Sequence, residues 1–198
     1  MGVEMVRKDA KQMVLLVDDH DNEIGLEEKM KAHQNGGKLH RAISVFVFNK
    51  DGQTMLQQRA DTKYHSQGLW TNTCCSHPFK GESTIDAAHR RLEQEMGFDC
   101  EMEEAFSFIY KTEVGNGLTE WEFDHVMFGM YDGEPAPDPG EAKDWKWATM
   151  EFLKDDVSRN PDAYTGWVRI LLADRTASGK LMRSVKRFLS KNDINTSP

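Results

Sequence analysis

Cysteine is scarce, with three residues in a chain of 198. An odd count does not close a disulfide framework, and Cys74 and Cys75 are adjacent, a spacing that bridges only with strain. A reducing compartment, the cytoplasm, fits this usage best. Long apolar runs are missing too. The most apolar stretch near the N-terminus, Met13 to Val17, is far too short to cross a bilayer, and Asp18, Asp19 and Asp21 follow at once. Neither membrane insertion nor a secretory signal is expected. Excess positive charge is also lacking. The formal net charge is −8, whereas a nucleic-acid binder needs a basic surface to displace counterions from phosphates. There is no internal repeat and no low-complexity block, and the Asn195-Thr196-Ser197 sequon matters only in a secreted chain.

The composition that is present, 38% hydrophobic and 29% charged, does not suggest general disorder and predicts one globular domain over residues 1–198 with a polar tail from about 192. Gln12 to Val17 reads as a strand, and the polar run Asp18 to Gly25 as a turn into a helical segment from Leu26 to His33. Asn35-Gly36-Gly37 then breaks the chain. Ile43 to Phe48 and Thr54 to Gln58 flank Asn49-Lys50-Asp51-Gly52, a hairpin signal. Ser83 to Met96 reads as a capped helix closed by Gly97. Phe106 to Val114 and Glu120 to Tyr131 read as two strands around Gly115-Asn116-Gly117, and Trp145 to Met150 as a last strand. From Glu151 onward helical periodicity dominates, with Trp167, Ile170 and Leu171 in one segment and Leu181, Val185 and Leu189 in another. The fold class expected is α/β (α+β): a mixed sheet with helices on its faces and a helical C-terminal end.

Chemistry concentrates in four places. Trp70 to Pro78 sets a thiol two residues before a histidine. In extended chain, residues two apart share a face, so Cys75 and His77 point together and Cys74 points away. A functional thiol, or a small buried hydrophobe beside a structural histidine, would each explain that stretch. His33 and His40 flank the glycine break. A loop that turns back would bring both to one ion, although either alone reads as a surface or satisfied core histidine. Glu120 and Glu122 share one face of a strand, where two close carboxylates need a cation or proton between them unless both are simply solvated. The helix from Ser83 carries Arg90, Arg91, Glu93 and Glu95, again compatible with a solvated face.

That helix resembles a degenerate Nudix signature, which Glu82, Arg90, Leu92, Glu95 and Gly97 fit and Ser76, Arg91 and Gln94 do not. The wider set of Lys29, His33, Leu39-His40, Arg59, Lys63, Trp70-Thr71-Asn72, Cys75-Ser76-His77-Pro78, Glu95, Tyr110, Glu120-Trp121-Glu122 and Trp167 resembles the type 1 isopentenyl diphosphate isomerases, over about residues 15 to 167. Gln67-Gly68 stands where members usually carry Pro-Gly, and Tyr64-His65 follows Lys63 at a variable point.

The resemblance implies a Nudix-like fold and the interconversion of isopentenyl and dimethylallyl diphosphate through a carbocation. It also implies that Cys75 and Glu122 exchange protons with Tyr110 assisting, and that His33, His40, His77, Glu120 and Glu122 hold a divalent transition metal, manganese or zinc. Glu95 would hold magnesium with the diphosphate, and Lys29, Arg59, Lys63, Arg91 and Trp167 would contact substrate. Trp70 reads as packing. The partner implied is a small allylic or homoallylic diphosphate, and the chain is expected as a monomer or weak homodimer. Two rivals remain at this stage: a Nudix diphosphatase, which would need no cysteine, and a non-catalytic metal-binding module.

Overall fold

The computed structural model describes residues 12–194, so the sequon lies outside the described residues. β1 (Met13–Val17) returns through a turn in which the Asp18 carboxylate accepts the backbone N–H of His20 and of Asn22, both at 2.9 Å, and continues as β2 (Glu23–Glu28). This corrects the helix expected from Leu26 to His33. Leu26 to Glu28 pair with β1, and only Lys29–Ala32 (α1) is helical, with His33 at its C-terminal cap. β2 lies at the sheet edge with every residue exposed or half-buried, so no period-two alternation marks it in the sequence.

β3 (His40–Phe48) is the hub of one mixed sheet. Along one side it pairs with β8 (Leu118–Met130) in parallel, from His40↔Glu122 to Phe48↔Met130. Along the other it meets three strands in turn: β1 at Leu16↔His40, β6 (Cys74–Ser76) at Ser44↔Cys75, and β4 (Thr54–Arg59) at Phe48↔Thr54. β7 (Met102–Gly115) forms an antiparallel hairpin with β8, while β5 (Trp70–Thr71) and β9 (Ala142–Ala148) pair with β4. The last strand thus begins at Ala142 rather than Trp145. It stops before Met150, which opens a helix because the Thr149 side chain caps Phe152 N–H.

Strand alternation divides the core. Ile43, Val45 and Val47 face α2 (Thr84–Met96), packing on Ala88, Leu92 and Met96, whereas Phe46 and Phe48 face the C-terminal helices α3 (Met150–Arg159), α4 (Gly166–Ala173) and α5 (Arg175–Lys191). Helices therefore cover both faces, as expected, and each fully buried Leu or Phe contributes roughly 2 kcal/mol of apolar transfer. α2 begins where Ser83 Oγ accepts Asp86 N–H and ends at Gly97, whose φ of 74° is left-handed. A Cβ there would lie 2.4 Å from the Ala136 carbonyl oxygen, so glycine is required.

β3 and β4 splay apart beyond their first pair, and the segment between β5 and β6 fills the gap. Thr73 Oγ1 donates to the Met55 carbonyl at 2.8 Å and accepts Val47 N–H at 2.9 Å, so one hydroxyl satisfies backbone on both parted strands. The stretch Trp70 to Ser76 is accordingly two short strands with a wedge between them. Trp70 packs at the edge of the core beneath Lys146, whose Nζ lies 4.1 Å from the ring centroid, and takes no part in the cleft described next.

Candidate active site

Three neighbouring strands present side chains at one level. Glu122 on β8 pairs with His40 on β3 and with Tyr110 on β7, so the carboxylate is flanked on both sides within the sheet. Glu122 Oε1 lies 3.4 Å from His40 Nε2 and 3.0 Å from His77 Nε2, and Glu122 Oε2 accepts the Tyr110 hydroxyl at 2.5 Å. His33 joins from the end of α1, its ring centroid 4.9 Å from that of His40. The glycine loop makes this approach possible. Gly37 has a φ of 76°, and a Cβ there would stand 2.9 Å from the Thr119 carbonyl oxygen of β8. Thr119 N–H in turn donates to the His33 carbonyl at 2.8 Å.

His33, His40, His77 and Glu122 are all buried, and one ligand atom from each lies within 4.8 Å of the others. Three imidazoles and a carboxylate form a donor set suited to a divalent transition ion. Nδ1 of His33 and of His40 each meet a backbone carbonyl at 2.7 Å, which requires that nitrogen to carry the proton and leaves Nε2 as a lone-pair donor. His33 Nε2 is buried with no hydrogen-bond partner among the described residues, as the ring of a ligand leaves one nitrogen to its ion, while His77 faces the cluster through Nε2. The residues present therefore fit such a metal. Glu120 stands outside the group of four. Its Oε2 lies 3.1 Å from the same Tyr110 hydroxyl oxygen, and its Oε1 lies 3.5 Å from His65 Nε2.

Burial sets the protonation of these groups. It depresses His33 to about 4, His77 to about 3 and His65 to about 2. Burial raises Glu120 well above the carboxylate range, and the Glu122 charge adds to it. For Glu122 burial acts in the same direction, but the adjoining imidazoles of His40 and His77 outweigh it and hold the group well below that range.

Tyr110 and Cys75 are both pushed up by desolvation, so the thiol keeps its proton at neutral pH. The sign of the histidine shifts gives a test. Unfolded imidazoles bind protons near 6.5 and the folded ones do not, so metal-free protein is stable above that pH and weakens as it falls. His33 alone is worth about 3 kcal/mol between pH 6.5 and 4. The urea midpoint of chelator-stripped protein is expected to fall across that window, and a flat midpoint would contradict the burial argument.

His77 and Glu122 of the cluster line a cleft of about 570 Å³, counted to its open mouth, which also receives Cys75, Trp167, Lys29, Arg59, Lys63, Arg91 and Glu95. Cys75 and Cys74 point to opposite sides as the alternation predicted: Cys74 is fully buried against α2, and Cys75 is half-buried and opens to the cleft. Arg59 donates to the carbonyls of His65 and Ser66, each at 3.2 Å, pinning the loop after Lys63, and stacks 5.3 Å from the Trp167 ring centroid. Lys63 pairs with Glu141 at 2.6 Å, Arg91 with Glu95 and Glu141, and Glu95 accepts Gln57 Nε2 at 2.7 Å.

Four residues near the site carry no functional assignment from the sequence motifs. Asp124 continues the Glu120, Glu122 alternation and could have been found that way; it is buried, accepts Ser44 Oγ at 2.7 Å and is raised to about 7 by burial and by Glu122. Ser44 is a lone polar residue within an apolar strand. His65 and Asn72 carried no local signal beyond their place in the motif.

A model of the NUDIX domain matches residues 38–166. The chain is 56% identical over 165 residues to isopentenyl-diphosphate Delta-isomerase 2 of Aromatoleum aromaticum, covering 83% of this chain and 86% of that protein. It is 48% identical to the isopentenyl-diphosphate Delta-isomerase of Serratia proteamaculans, covering 84% and 93% respectively. Among solved structures it resembles DR0079 of Deinococcus radiodurans with a TM-score of 0.68 at 18% identity, covering 82% of this chain and 98% of that one, a likeness of fold.

Proposed function

The chain belongs to the isopentenyl-diphosphate Delta-isomerases of the Nudix fold, and we propose that its cleft performs their reaction with Cys75 and Glu122 as the groups that exchange protons. The enzyme interconverts isopentenyl and dimethylallyl diphosphate. A proton added to the terminal methylene gives a tertiary cation, and loss of a proton from the adjacent methylene moves the double bond inward. Because the reaction runs both ways, the group that donates in one direction accepts in the other. The observation that carries the reading is the meeting in one cleft of the Cys75 thiol, the Glu122 carboxylate and a tyrosine hydroxyl 2.5 Å from that carboxylate.

Tyr110 holds Glu122 in a single orientation and links it to Glu120, so a proton can be shared among three oxygens rather than lost to water. Trp167 offers a π face to the cation, a contact worth about 2 kcal/mol when dry. The manganese or zinc ion we assign to His33, His40, His77 and Glu122, with Glu120 beside it, would supply fixed positive charge against Glu122. A magnesium ion at Glu95 would neutralise the diphosphate. Lys29, Arg59, Lys63 and Arg91 bind phosphate oxygens in this reading, which reverses locally the field of an acidic chain. We place the enzyme in the cytoplasm, where Cys74, Cys75 and Cys100, all free thiols, stay reduced, and take it to act as a monomer. Among the described residues no helix is long and apolar enough to cross a membrane.

Incubation with isopentenyl diphosphate in heavy water tests the reading. Deuterium is expected in the recovered dimethylallyl diphosphate with no phosphate released. Phosphate release without deuterium would instead identify a diphosphatase, a chemistry that helix α2 serves poorly with Gln94 interrupting its carboxylates.

A further inference from the structure

Three side chains converge on one amide. Asn72, fully buried between β5 and β6, receives on its single side-chain oxygen the Trp167 Nε1–H at 3.0 Å, the Thr71 hydroxyl at 2.9 Å and the Cys75 thiol at 3.2 Å. Its nitrogen donates to the Val45 carbonyl at 3.1 Å and to the Cys74 carbonyl at 2.9 Å. Both partners of the nitrogen are pure acceptors, and the indole is a pure donor, so the network itself determines which end of the amide is oxygen. Asn72 does not line the cleft, whereas Cys75 and Trp167 both do.

We propose that Asn72 is a positioning residue that sets the Cys75 thiol and the Trp167 indole in one mutual geometry. The inference rests on the roles given above to those two side chains. Cys75 comes from β6 and Trp167 from α4, and the bond from Trp167 reaches Asn72 across 95 residues of chain. The backbone ties the start of α4 to β5, where Thr165 N–H donates to the Trp70 carbonyl at 3.0 Å, but that bond sets neither the indole nor the thiol side chain. Yet the proton must be exchanged at one carbon while the π face covers the cation at its neighbour, and a misplacement near 1 Å costs about 10²-fold.

The geometry also leaves the thiol mobile. A carbonyl oxygen has two lone pairs, and here three donors claim them. S–H is the weakest of the three, so its proton turns away from Asn72 at little cost, with the Ser44 hydroxyl oxygen 3.5 Å away as a second acceptor.

The test uses metal-loaded full-length enzyme. Asn72→Ala is expected to lower kcat by at least about tenfold with KM changed less than about threefold, because phosphate and metal contacts are untouched. Metal content should be unchanged. Alkylation of Cys75 by iodoacetamide, in a Cys100→Ser background where Cys74 is buried, reads the thiol without turnover and is expected to change by about threefold or more.

In a double-mutant cycle, Asn72→Ala should cost distinctly less when added to Trp167→Phe, which has already lost the indole N–H, than when added to wild type. Additive losses with an unchanged alkylation rate would overturn the proposal and leave Asn72 as a brace for the carbonyls of Val45 and Cys74. If Asn72→Ala does not fold, Trp167→Phe alone decides: freeing the shared oxygen must alter Cys75 alkylation, and an unaltered rate refutes the coupling. Failure of the underlying reading looks different. Cys75→Ser with normal turnover would remove the catalytic premise, and the proposal with it, while the alkylation coupling persisted.

Discussion

Cys75→Ser and Glu122→Gln are each expected to lower turnover by about 10²–10⁴-fold, the range for loss of a positioned proton-transfer group, while Cys74→Ser turns over nearly normally. The two cysteines are neighbours in sequence, but the strand sends them to opposite sides of the sheet. Cys74 packs under α2 with Leu92 and Met96, out of reach of any substrate, and serine there costs about 1–3 kcal/mol of stability for an added hydroxyl in apolar surroundings. Cys75 opens to the cleft, and its proton is retained by burial. Serine at 75 keeps the size but is a far weaker acid than a thiol, so proton exchange slows even if binding survives. Glu122→Gln keeps the shape and cannot accept a proton. Single-turnover rates with circular dichroism as a folding control decide between them. A folded but inactive Cys74→Ser beside an active Cys75→Ser would reverse the assignment.

The second large effect concerns the metal. Purified protein is expected to hold one tightly bound divalent transition ion, and His40→Ala or His77→Ala to lose it. Even outer partners of such ligands cost about 10–100-fold in affinity, and removal of a ligand itself should cost more. His125→Ala is the control. His125 is also largely buried, but its two nitrogens are held by Glu104 at 2.9 Å and Asp21 at 3.1 Å, a surface network tying the first turn to β8. Its pKa is raised, since those two carboxylates outweigh its burial, which acts the other way. Elemental analysis of the three variants should show metal only in the His125 protein. Equal content in all would dissolve the assignment of the histidine cluster.

Local signals carried far along this chain. Asp51-Gly52 between two apolar runs gave the β3–β4 hairpin, Ser83 and Gly97 bounded α2, and the alternation of Glu120 with Glu122 placed both on one side of β8, because each signal depends on residues close in sequence. β2 escaped notice since an exposed edge strand has no buried face to imprint a pattern.

What the sequence alone determined is the kind of chemistry: free thiols, imidazoles and carboxylates in motifs that resemble one family, on strands whose faces could be counted. Which of these groups meet was a tertiary decision. Periodicity gives the face of a strand but not the level at which it stands beside its neighbour. Only the parallel register of β3 with β8 puts His40 beside Glu122 rather than Glu120, leaving Glu120 to Tyr110 and His65. The amide of Asn72 is the clearest case. Its residue type and motif were visible from the start, but its three donors arrive from β5, β6 and α4, and a hydrogen bond spanning 95 residues has no trace in local pattern because the energy that forms it is released only when the whole core closes.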